Sequence, residues 1–175
     1  MSANRGISVS AADDNDAFLA IEPEDTPNGD EYADASGGTV SLDFTNTDES
    51  APEGEDGGSG LNTDADTIIR DVLTVTNQGT QDVIVGVSGL PESMSVYTDD
   101  GDVAANGSSS SLNQDSNTPA SGNLALVEVG ETMERVGVIF RDPPSDLDLT
   151  DGSLTINAVA VDSLDDPAAV RSKYE

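Results

Sequence analysis

The 175-residue chain carries 35 Asp and Glu against 6 Lys and Arg, with no His and no Cys, for a formal net charge of −29. Those counts remove zinc sites, thiol nucleophiles, disulfide frameworks and Ser-His-Asp triads, and six scattered cations cannot line a phosphate-binding face. No apolar run approaches the ~18 residues of a spanning helix, and no polybasic segment offers a docking point for an anionic membrane.

Leu, Ile, Val and Phe supply 38 of the 175 residues, just above the roughly 20% below which a highly charged chain stays disordered. Composition alone therefore leaves an acidic disordered tail as an alternative, and patterning has to decide. From the N-terminus, Arg5-Gly6-Ile7-Ser8-Val9-Ser10-Ala11 alternates, with Ile7 and Val9 on one face, and the acidic run Asp13-Asp14-Asn15-Asp16 breaks it. Further strand signals, rich in Val, Ile, Thr or Leu and bounded by Gly, Pro, Asn or Asp, lie at 17–21, 39–45, 68–76, 82–88, 93–98, 124–129, 132–140 and 153–161. The turn cluster Asn77-Gln78-Gly79-Thr80 predicts a hairpin between 68–76 and 82–88. The one helix signal is 166–171, with Pro167 suited to a first helical position. Eight or nine short strands without interposed helices predict an all-β fold, a single antiparallel β-sandwich. The patterned apolar residues make the acidity a halophilic signature: at molar salt the Debye length falls to about 3 Å, and a dense carboxylate surface no longer opposes compaction.

Two polar stretches interrupt the strands, near 47–66 and 99–122, and read as solvated, mobile loops. The second holds Asn106-Gly107-Ser108, a candidate glycosylation site at Asn106. The expected organisation is thus an N-terminal strand, 1–12, followed by a sandwich domain, 13–175. That first strand has two readings. It is an ordinary edge strand, or it is a donor strand, Arg5 to Ala11, that completes the sheet of a neighbouring subunit.

The opening residues 2–21 resemble the mature start of secreted haloarchaeal proteins of unassigned function, of the type R-x-[IV]-x-V-x-x-A-D-D followed by A-[FY]-L-[AG]-[IL]. Leu73-Thr74-Val75-Thr76-Asn77-Gln78-Gly79-Thr80, and the turn Val129-Gly130-Glu131-Thr132, resemble the wider TasA, camelysin and archaeal bundling-pilus group. The resemblance implies a jelly-roll-like domain, export to the cell surface with the signal peptide removed, and head-to-tail homopolymerisation by an N-terminal donor strand. Camelysin's metalloprotease activity does not carry over, because a chain without His has no H-E-x-x-H.

Oxygen-ligand metal chemistry stays open for Ca²⁺, which takes six to eight oxygens. The acidic clusters that offer them are Asp99, Asp100 and Asp102, then Asp146, Asp148 and Asp151, and the run 13–16. No pair of carboxylates is singled out as acid and base, and three Tyr, three Phe and no Trp give no platform for stacking sugars. The expectation is a non-enzymatic structural subunit of an extracellular filament, pilus or biofilm matrix of a halophilic archaeon, without cofactor and with itself as partner. The alternative is a monomeric surface module that binds divalent cations through its acidic loops.

Overall fold

The computed structural model describes residues 6–12, 19–35, 40–44, 65–101, 104–105, 111–113, 122–143 and 153–174. They form β1 (Gly6–Ala12), β2 (Leu19–Pro23), α1 (Pro27–Tyr32), β3 (Ala33–Asp34), β4 (Val40–Asp43), β5 (Thr67–Asn77) and β6 (Val83–Ser88). The chain continues through β7 (Met94–Thr98), β8 (Ala104–Ala105), β9 (Ala125–Val127), β10 (Thr132–Phe140) and β11 (Ser153–Ala160) to α2 (Pro167–Arg171). A seven-stranded sheet runs β3-β4-β1-β11-β6-β9-β8, and a four-stranded sheet runs β2-β5-β10-β7. The expected all-β sandwich is present. All pairings between these strands are antiparallel except β1 with β11, which is parallel.

The core lies between the sheets, where period-two alternation aims apolar side chains inward. β4 reads buried-exposed-buried-exposed, with Val40 and Leu42 inside. On β11 the inward set is Leu154, Ile156 and Ala158, and it faces Val72, Leu73 and Val75 of β5 and Val136, Val138 and Phe140 of β10 in one cluster. Central β6 is buried on both faces: Val83, Val85 and Val87 enter this core, while Ile84 points the other way. There it joins Leu124 and Val161 under the C-terminal segment, with Leu164, Val170 and Tyr174 packed on top.

The expected hairpin between 68–76 and 82–88 is not formed, because β5 and β6 belong to different sheets. Asn77, fully buried, explains the crossing. Its Nδ2 donates to the Gln81 and Val127 carbonyls at 2.8 and 3.1 Å, and its Oδ1 accepts from the Gly79 N–H at 2.9 Å. The Asn77 main chain also pairs with Glu131 and Gly130. The corner is thereby fastened to the β9–β10 turn, and the chain passes across the sandwich instead of folding back beside β5.

Within the stretch 99–122, expected to be a solvated loop, Leu112 is buried in the core. Its N–H donates to the Val96 carbonyl at 2.8 Å and its carbonyl accepts from Val87 at 2.6 Å, so residues 111–113 strap one sheet to the other. Asn106 and Asp102 lie outside the described residues, as do Asp146, Asp148 and Asp151. Among the described residues no helix is long and apolar enough to cross a membrane.

Candidate functional site: the slot that holds β1

Among the described residues, every free edge of the sandwich is short, interrupted or covered. The seven-stranded sheet ends on β3 and β8, two residues each. The four-stranded sheet ends on β2, which closes at Pro23, and on β7, whose outer side bonds the 111–113 strap. These are devices that discourage indiscriminate edge-to-edge pairing. The strand signal at Arg5 to Ala11 does not form an edge. Gly6, Ile7, Ser8, Val9, Ser10 and Ala11 all belong to β1, which lies inside the larger sheet, while Arg5 is outside the described residues.

One side of β1 pairs with β4, in the register Gly6 with Asp43, Ile7 with Leu42, Ser8 with Ser41 and Val9 with Val40. The other side pairs with β11, in the register Ser8 with Ser153, Val9 with Leu154, Ser10 with Thr155 and Ala11 with Ile156. The register partners of Ile7, Val9 and Ala11 are buried core residues, Leu42, Val40, Leu154 and Ile156, whereas Ser41, opposite Ser8, is exposed. Taking β1 away would leave unpaired main-chain groups along both neighbours, over a floor that is apolar. Leu42, Leu154 and Ile156 line a small cavity there, with Leu73, Val136 and Val138 of the opposite sheet. A slot with two hydrogen-bonding walls and an apolar floor is what an extended strand requires for affinity and register.

Helix α1, which leads into β3 beside β4, meets a polar bulge of the β5–β10 pair. The register of this pair shifts between Met133 and Val136 and again between Val136 and Val138. At the shifts Asp71 and Arg135 adopt left-handed φ angles of 54° and 53°, a conformation that costs a non-glycine residue and marks a bulge. Carbonyls released from the ladder take other donors: Arg70 O accepts from Asn28 Nδ2 at 2.7 Å, and Asp71 O from Thr26 Oγ1 at 2.5 Å. The Arg135 N–H donates to the Glu24 carboxylate at 3.0 Å. Burial nonetheless pushes the Glu24 carboxyl above its usual range, and Asp71 and Glu134 reinforce the rise.

The acidic cluster at 99–100 is used within the chain. The Arg70 guanidinium pairs with Asp99 at 2.5 Å, and the Glu134 N–H donates to Asp100 at 2.9 Å. Among the described residues no group of three or more acidic side chains is placed to hold a metal ion. Sequence reading found the strand but not its walls, since β4 and β11 are far apart in the chain and adjoin β1 only through the fold. Comparison of the chain with protein-family models, with curated proteins and with solved structures finds no match.

Proposed function

We propose that the protein is a non-enzymatic structural subunit of an extracellular filament or matrix at the surface of a halophilic archaeon, and that subunits join by exchanging β1. One observation carries this reading. Among the described residues β1 is the only strand that joins the β3–β4 pair to the rest of the seven-stranded sheet, and it precedes β2 by the short segment 13–18. A strand of this kind can leave its own slot and enter the same slot of a neighbour with every main-chain pair reproduced, so exchange costs little intrinsic free energy. The contact is head-to-tail and propagates without closing.

Chain length limits the geometry. Seven Cα steps separate Ala12 from Leu19, a reach of at most about 25 Å, so the acceptor slot must lie that close to the donor's β2. Charge sets the conditions. Subunits of net charge −29 repel at low ionic strength and approach once salt shortens the Debye length to a few ångströms. The absence of His and Cys from the sequence, and the shortage of aromatic residues, support a structural role over a catalytic one.

The test is removal of residues 1–12. In molar KCl the full chain is expected to form filaments visible by electron microscopy, and the truncated chain to stay unpolymerised. Filaments from the truncated chain refute strand exchange.

A further inference from the structure

The two walls of the β1 slot are held differently. β11 is continuous with β6 and the rest of its sheet, whereas among the described residues β4 reaches that sheet only through β1 and has the two-residue β3 on its other side. β4 nevertheless has attachments of its own, and they run to the opposite sheet.

The first is α1. Thr26 caps it, accepting the Gly29 N–H at 3.0 Å while donating to Asp71 O, and Asn28 donates to Arg70 O. The Glu24 N–H, just before it, donates to Val72 O at 3.0 Å. All three acceptors lie on the bulged part of β5. The packing is close: a Cβ built at Gly29 would stand 1.9 Å from the Glu24 carbonyl oxygen, so no side chain fits there. Helix α1 runs directly into β3, with the Ala33 N–H bonded to Gly29 O, and β3 pairs Ala33 with Leu42 and Asp34 with Ser41 of β4. The second attachment is Phe44, just past β4. It is fully buried, meets Phe140 of β10 edge to face at 5.1 Å, and lies 6.0 Å from the Tyr32 ring of α1. None of these contacts involves β1.

We infer that α1 and Phe44 form a bracket that holds β4 two strand spacings from β11, roughly 9.5 Å, after β1 has left. The slot then persists as a preformed acceptor groove for residues 6–12 of a second copy, entering parallel to β11 and antiparallel to β4. This rests on the strand-exchange reading and adds a separation to it: donor function resides in β1, and acceptor function in the bracket. Holding the walls apart in advance removes ordering cost from the binding step.

Amide hydrogen exchange on the full-length chain in molar KCl, at a dilution that keeps it monomeric, tests the bracket. The amides of residues 8–11 should exchange at least ten-fold faster than those of Gly29, Asp30 and Ala33, which are bonded to Thr26 Oγ1, Thr26 O and Gly29 O. Equal rates would mean that α1, β3 and β4 leave together with β1, and would overturn the inference. A full-length Thr26→Val, Asn28→Ala variant, whose β1 is unchanged, provides a second readout. Added to wild-type filaments, it should join their ends through its own β1 and arrest growth, and elongation at the wild-type rate overturns the bracket. Failure of the wild-type chain to polymerise at all counts instead against strand exchange, and the exchange rates still decide the bracket.

Discussion

Gly137, in the middle of β10, shows how a single position records a non-local contact. A Cβ built there would lie 2.7 Å from the Ile69 carbonyl oxygen and 2.7 Å from Cζ and the hydroxyl oxygen of Tyr97. Tyr97, across the register from Gly137, thus lays its ring over the missing side chain and is buried on that face. Burial pushes its phenol above the ordinary tyrosine value, and the nearby Arg70 charge works against that rise. A main-chain oxygen cannot move aside cheaply, so Gly137→Ala is expected to destabilise the protein by about 1–3 kcal/mol. Denaturant unfolding in molar KCl checks this, and an unchanged midpoint would contradict the Tyr97 placement. A glycine inside a strand signal suggests close approach by something. Which residue approaches is set by pairing between 93–98 and 132–140, which local pattern does not carry. Asp71 and Arg135 are similar cases: Asp tolerates a left-handed backbone better than Arg does, but in both the conformation follows from the bulges.

Strands were legible as elements and illegible as partners. The signals at 132–140 and 153–161 correspond to β10 and β11 almost to the residue, because alternation is a local property. The assignment of 68–76 and 82–88 to one hairpin failed because turn chemistry specifies a change of direction and leaves the destination open. Helix α1 was missed although Thr26-Pro27 is a capping signal. Its six residues are too few for an apolar stripe, and its stability comes from the bulge carbonyls it meets. The expected C-terminal helix is present as Pro167–Arg171, with the Asp166 carboxylate accepting the Ala169 N–H at 3.0 Å. Arg171 fastens it: the guanidinium donates to the Asp82 carboxylate and, at 3.0 Å, to Asp162. Under this cover Tyr174 is partly buried, and burial pushes its phenol up to about 12. The folded tail keeps this phenol protonated where the unfolded chain would ionise it. Its packing contribution is therefore complete below about pH 10 and lost as pH rises through about 12. Arg171→Gln should loosen the tail and return one tyrosine ionisation toward 10 in an absorbance titration. An unchanged titration would mean that the apolar contacts alone hold the tail.

At the scale of the whole molecule, the charge of −29 has a distribution that sequence alternation partly foretold. The main core cluster contains no acidic side chain, and the four ion pairs among the described residues, at Arg70, Arg141 and Arg171, all lie on exposed or half-buried side chains. Surface pairs of this kind weaken as salt rises, while the apolar sandwich does not; the proposed assembly of chains with this net charge is expected to strengthen with salt, because screening reduces their mutual repulsion. The slot itself could not be read from the sequence. Alternation marks 5–11 as a strand, but only the topology reveals that its neighbours are β4 and β11.

Because the chain has no Cys, the proposed exchange of β1 between subunits is tested directly by cross-linking. Ser8 and Ser41 are register partners across β1 and β4, and Ser41 is exposed; antiparallel register positions in general lie close enough for a disulfide to bridge. Chains carrying Ser8→Cys alone and chains carrying Ser41→Cys alone are mixed, incubated in molar KCl and oxidised. Exchange predicts a disulfide joining the two different chains, with a yield that rises with KCl concentration and falls away at low salt. A disulfide that forms only inside single chains carrying both substitutions, and never between the separately substituted chains at any salt concentration, would contradict it.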